Sequence, residues 1–226
     1  MSKKKTTKQT INAAANKIGF TKFEVFNVGV NDKVRENVDL KSIKTPFIPF
    51  GEDNLFPQFL AEIARQSPTH RSILGQKKIL SIGKEFHSEN PNVESFIEDV
   101  NTGESMREVY GRIIDDYYSF GNSYMQIVKH KSGINLFHID ATKCRISKDQ
   151  KHIYIHPNWA KYGTTKEDTV VIPVYPNFEK NTSIIQFKDY EPTFNYYGLP
   201  DFVAAMSWLA IDWELQTYNE SKFKNN

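Results

Sequence analysis

The sequence predicts an α+β protein, and three observations carry the prediction. Apolar residues recur at helical spacing from Phe56 to Tyr117, alternate in twos from Ser123 to Phe187, and return to helical spacing from Phe202 to Trp213. Helices and strands are therefore grouped along the chain, whereas a parallel-sheet protein alternates them. The strands are short and joined by turn residues, so they are expected to form an antiparallel meander, with a long amphipathic helix closing the chain.

The elements follow in order. Residues 1 to about 20 are polar and basic, with Lys3, Lys4, Lys5 and Lys8 near the start. A solvated tail is the plainer reading of such a stretch, and contact with DNA or a neighbouring subunit the functional one. Lys22–Val30 (KFEVFNVGV) alternates apolar and polar residues as a strand does, and the charged segment 31–42 reads as a loop or extended arm. Residues 1–48 are thus expected to form a tail and arm, and 49–226 the α+β domain.

Asp53 or Asn54 is placed to cap a helix carrying Phe56, Phe59, Leu60 and Ile63. Ser67-Pro68 is a cap followed by a first-turn proline, opening a second helix with Ile73, Leu74, Ile79 and Leu80. The pair has the outline of a DNA-reading helix-turn-helix. Its second helix is apolar over much of its surface, however, which favours packing. Pro91–Val100 is a short helix closed by Asn101-Thr102-Gly103. Ser105 and Glu108 make a capping box for a helix through Val109, Ile113 and Tyr117 that stops at Gly121.

Beyond Asn122 the period changes to two. Ser123–Lys129 and Ile134–Ile139 form a hairpin about Lys131-Ser132-Gly133. Lys143–Ser147, His152–His156, Thr169–Val174 and Ser183–Phe187 continue as short strands. In the closing stretch 196–226, Gly198 interrupts what precedes and Pro200 suits a first helical turn. Phe202, Ala205, Met206, Leu209 and Trp213 then form one apolar stripe. Asp212, Glu214 and Glu220 lie off the stripe, and Lys222 and Lys224 suit the negative end of the helix dipole. The helix has neither a glycine nor a proline exit, and reads as an element leading to a further part.

Composition narrows the function. The 226 residues are 39% hydrophobic and 13% aromatic, enough for a substantial core. With 29 basic and 27 acidic residues the net charge is +2, which excludes a surface that is basic throughout and leaves only local patches for nucleic acid. Cys144 stands alone, so no internal disulfide and no cysteine zinc site can form, as suits a reducing compartment. The basic N-terminus lacks the apolar run of a signal peptide, and no apolar run of about 18 residues exists.

Catalytic patterns are missing. Asp115 and Asp116 are adjacent on a helix, so their side chains diverge by about 100° and cannot share a metal. His152 and His156 are too far apart along a strand to ligate together. His138 and Asp140 sit at a strand end, where such residues commonly bond backbone groups. His70, in a first helical turn, reads as a surface residue. The glycine-rich phosphate loops, the G-x-S-x-G elbow and the HExxH pair are all absent. No enzyme activity and no cofactor are expected. Two rivals remain: a nucleic-acid-binding module using the basic tail with Lys77-Lys78, and, less favoured, an enzyme whose Asp115, His138 and Asp140 converge in a pocket.

Three segments taken in order resemble the N-terminal half of bacteriophage portal proteins. These are Phe50–Phe86, then Arg107–Ser147 with its Gly121-Asn122 and His138-Ile139-Asp140 phrases, then the closing stretch with Gly198-Leu199-Pro200 before a long helix ending in Phe223-Lys224-Asn225. The resemblance implies a structural virion protein at the portal vertex, assembled in the host cytoplasm as a homo-oligomeric ring, a dodecamer in the family. It implies a channel for packaging and ejecting double-stranded DNA, with the major capsid protein, the terminase large subunit and the head–tail connector as partners. The matched part is the wing, and family members continue into a stem and clip beyond it. The apolar surface of the last helix, more than a terminal helix usually needs, makes Phe202, Met206, Trp208, Leu209 and Trp213 candidate contacts with a neighbouring subunit or with the segment that would follow.

Overall fold

The computed structural model describes residues 40–164 and 169–224. The lysines of the N-terminal tail and the strand expected at Lys22–Val30 lie outside the described residues. Among the described residues four helices come first: α1 (Phe56–Gln66), α2 (Pro68–Ile82), α3 (Pro91–Glu98) and α4 (Met106–Phe120). Six strands follow: β1 (Asn122–His130), β2 (Gly133–Ile139), β3 (Cys144–Ile146), β4 (His152–Ile155), β5 (Val170–Pro173) and β6 (Thr182–Lys188). A 3-10 turn at Asp201–Ala205 leads into α5 (Met206–Lys224). The α+β class is as the sequence predicts.

Local chemistry sets most boundaries. Ser67 caps α2 by accepting a bond from the His70 amide at 3.3 Å, with Pro68 in the first turn. Ser105 and Glu108 form the reciprocal box at the start of α4, and Gly121 ends it in the left-handed conformation at φ 66°. The cap of α1 differs from expectation. Leu55 holds that place, while Asp53 accepts from the Leu55 amide and Asn54 from the Phe50 amide, both at 3.0 Å, shaping the turn before the helix. Helix α3 ends at Glu98, two residues short of the expected Val100.

The strands do not form one meander. They make two three-stranded antiparallel sheets, ordered β2-β1-β6 and β3-β4-β5. After β5 the chain turns through 176–181, where Lys180 and Asn181 both adopt positive φ, and β6 returns to pair with β1. Tyr124 pairs with Ile139 on one side and Gln186 on the other, so β1 is the central strand of its sheet. A parallel bridge, Val174 with Ile184, joins the two sheets. Sequence spacing reports turns but not which strand a returning chain will choose.

The main core lies where α1, the end of α4 and both sheets meet, around Leu60, Tyr124, Ile153, Ile184, Tyr197 and Met206. A smaller cluster of Val100, Val109, Ile113, Ile127 and Leu136 packs α4 on the outer half of the first sheet. The closing stretch is the chief correction to the elements. Tyr196, Tyr197 and Leu199 are buried in non-helical backbone, and the α-helix begins only at Met206. Pro200 accounts for part of this, because it drives Leu199 away from helical dihedrals. Burial of Tyr197 accounts for more: its ring stacks on Phe50 at 4.1 Å and its hydroxyl donates to the Ile48 carbonyl.

Candidate functional site

Two sequence phrases far apart in the chain meet at the root of α5. The Asn122 side-chain nitrogen donates to the Phe120 and Gly198 carbonyls at 2.9 and 2.8 Å. Its oxygen accepts from the Gly198 amide at 2.9 Å and from Gln186 at 3.2 Å. The backbones touch here. A methyl group on Gly121 would lie 2.4 Å from the Leu199 carbonyl carbon, and one on Gly198 would lie 2.3 Å from the Gly121 carbonyl oxygen. Glycine is thus dictated at both positions, and Asn122 satisfies the polar atoms that this contact buries. Gly121, Asn122, Gly198, Leu199 and Pro200 together fix where α5 leaves the domain.

Beyond the root, the helix is held against α1 and α2. Phe202 meets the edge of the His70 ring at 4.2 Å, Lys77 pairs with Asp201, and the Ser67 hydroxyl donates to Asp212 at 2.9 Å. The Ser67 side chain therefore serves both a helix cap and a contact between elements. His70 is buried, not at the surface as its position in a first turn suggested, and its Nε2 has no hydrogen-bond partner among the described residues. Burial pulls its pKa below the ordinary histidine value; Asp201 opposes this and the neighbouring Arg71 and Lys77 reinforce it.

The five candidate contacts on this helix separate into two groups. Met206 is fully buried in the chain's own core, so it is not available to a neighbouring subunit. Phe202 and Leu209 are partly buried against the same core. Trp208 is 73% exposed and Trp213 40%. The expected stripe thus faces inward over its first half. A second stripe, Trp208, Ile211, Leu215 and Tyr218, is exposed and starts two positions after Met206, which turns it about 200° around the helix. Two apolar faces on opposite sides make α5 only weakly amphipathic, contrary to the single-stripe expectation. The 3-4-3 spacing of the second stripe was visible in the sequence but lay hidden beneath the first.

The polar candidates do not assemble as the enzyme alternative requires. His138 bonds Asp116 at 2.7 Å, not Asp115, and Asp116 also accepts from the Ala141 amide at 2.9 Å. Burial pushes the Asp116 carboxyl up, against the opposing effect of His138. Asp115 faces Arg71 and Lys78 at 3.3 and 3.5 Å, while Asp140 caps its own turn by accepting from the Thr142 amide at 2.9 Å. His152 lies 3.6 Å from Glu179, whereas His156 is buried and accepts from the Asn158 amide. Among the described residues no three histidine, cysteine or carboxylate groups stand close enough to hold a metal ion. Cys144 is fully buried and its thiol pushed well up, so it is held as an unreactive thiol.

A groove of about 280 Å³ between α1, α2 and α4 is lined by Ala61, Ala64, Arg65, Arg71, Asp115, Asp116, Ser119 and Phe120. Its charged walls are all engaged, Arg71 with Asp115, Asp115 also with Lys78, Arg65 with Glu62 and Asp116 with His138, so the groove is lined by an ion-pair network. Lys77 and Lys78, the folded part of the nucleic-acid alternative, are likewise paired with Asp201 and Asp115. Sequence reasoning also missed Arg145. It is fully buried, reaches the Asn54, Thr142 and Cys144 carbonyls, and lies over the Trp159 ring at 5.0 Å. A three-residue strand buried on both faces has no alternation to reveal such a residue.

No protein-family profile matches this sequence. A search of curated proteins likewise finds no relative. Among solved structures, the chain is similar to one from the neck of an empty gene transfer agent (GTA) particle computed with C6 symmetry. The TM-score is 0.59 at 14% identity, over 76% of this chain and 48% of that one. A chain from the virion of a native GTA particle gives 0.59 and 14%, covering 76% and 47%. One from the neck of the native particle computed with C12 symmetry gives 0.59 and 13%, covering 75% and 46%. This chain therefore spans about half the length of those it matches, and at such identities the likeness is one of fold: the domain shares its fold with chains from GTA particles.

Proposed function

We infer that this chain is a structural component of a phage-like particle, located at the neck, and that it corresponds to the wing portion of a portal protein. The observation that carries the reading is the shared fold, which extends over three-quarters of this chain and is found in necks computed with C6 and C12 symmetry. The portal assignment adds the order of the three sequence segments and the meeting of Gly121-Asn122 with Gly198-Leu199-Pro200, which gives both phrases a structural purpose. On this reading copies of the chain assemble in the host cytoplasm into a ring, twelvefold in the family, at one capsid vertex. Double-stranded DNA passes through the ring without sequence-specific contact, and the major capsid protein, terminase large subunit and head–tail connector dock on it. The chain acts by assembly and no catalytic step is assigned to it.

The test is localisation in particles. Purified particles from the source are digested and analysed by mass spectrometry, and an epitope inserted between exposed Pro192 and Thr193 is imaged by electron microscopy. Peptides of this chain in intact particles, with label at a single vertex, are expected. Particles without such peptides, or label spread over the whole capsid surface, would overturn the reading.

A further inference from the structure

Two separate helix faces on this chain remain apolar and uncovered among the described residues. The first is the outward stripe of α5, where Trp208, Ile211 and Leu215 follow a 3-4 spacing and are 73, 49 and 56% exposed. Such spacing in an exposed helix is the pattern of a seam that takes a second helix. The second is the outward face of α2, where Ile73, Ile79 and Leu80 are 54, 63 and 80% exposed, while Leu74 on the same helix is buried against the domain. Gly75 lies at the side of this face, and a methyl group placed on it would meet nothing within 4 Å, so another backbone can approach closely.

We propose that the α5 seam of one copy docks on the α2 face of the next, a contact that rests on the ring-forming reading above and gives it a specific interface. Head-to-tail association needs two different and complementary patches on one chain, whereas a two-fold dimer needs only one that matches itself. Charge supports the pairing. Between Pro68 and Ile82 helix α2 carries Arg71, Lys77 and Lys78 and no acid, while α5 as far as Ser221 carries Asp212, Glu214 and Glu220 and no base. Within the chain these three bases face two acids, Asp115 and Asp201, which leaves a small positive excess that attracts the acids of a second α5 at long range without new buried ions. Opposed α5 seams would bring like charges together instead. The two faces expose apolar surface on the order of 1,000 Å² in total, about the least a specific interface needs. Such a contact is weak singly and gains from closure of a ring.

The experiment uses the full chain and sedimentation velocity over a concentration series. Trp208→Ser with Ile211→Ser removes one face, and Ile73→Ser with Leu80→Ser removes the other; all four residues are exposed, so both variants are expected to fold. Each pair weakens self-association at least tenfold. An equimolar mixture of the two variants retains one intact copy of the contact, and so forms dimers and nothing larger. Three results would overturn the proposal: a native chain that stays monomeric throughout, self-association that survives the Ile73/Leu80 pair, or a mixture that forms no dimer. If residues 1–39 of the same chain cover α2, a Leu80→Cys thiol will resist modification in the dilute monomer, which overturns it as well. Each of these outcomes leaves the particle-localisation test untouched, so the contact can fail while the neck assignment stands.

Discussion

At the scale of single residues, the firmest expectations come from groups whose replacement has no room or leaves a partner stranded. Gly198→Ala puts a methyl into the Gly121 carbonyl, and is expected to cost about 1–3 kcal/mol in denaturant unfolding. Asn122→Ala strands the Gly198 amide and carbonyl in a buried contact, with a loss of about 1–3 kcal/mol or more. His70 supplies a pH dependence whose sign can be worked out. Its pKa is depressed in the folded chain and near 6.5 when unfolded, so the unfolded state binds more protons between those values. Stability is therefore full above about 6.5 and declines as pH falls through that window. The groups facing the ring are Arg71, Lys77 and Asp201, with Phe202 against its edge. His70→Gln should flatten this part of a stability-against-pH curve; an unchanged slope would assign it to other groups.

At the scale of elements, α5 shows what a sequence pattern can and cannot give. Caps and stops were legible because they are local: Ser67 with Pro68, Ser105 with Glu108, and Gly121 each specify their own turn. The extended, buried run before α5 was not legible, because its conformation is set by Phe50, Ile48 and Asn122, all far away in sequence. Likewise the pairing of β6 with β1 depends on which edge is free, which no spacing records. The apolar content of α5 was plain, but not which stripe the domain would claim. Met206→Ala and Trp208→Ser separate the two faces. The first opens a cavity in the core and is expected to cost about 2–5 kcal/mol without altering association once folding is restored by mild conditions. The second touches an exposed position, should change stability by less than about 0.5 kcal/mol, and should weaken association. Equal effects of both on unfolding would mean that the outward face is already packed.

At the scale of the whole molecule, the α+β domain closes on itself before its last helix ends. Residues 217–224 are all exposed, so truncation after Gln216 should change the stability by less than about 0.5 kcal/mol, as measured by denaturant unfolding. The candidate site was thus half legible: the helix and its glycine phrases were in view, the face it presents was not. The contact between Gly121 and Gly198 has a mechanical meaning. Where two main chains touch with no side chain between them, there is no rotamer to swing and little compliance to take up a load. A pull or twist on α5 would pass through that pivot into the end of α4 and the central strand β1, and would load the hydrogen bonds of Asn122 together rather than peel them one by one. The helix is mounted as a lever on a rigid fulcrum, not tethered as a pendant.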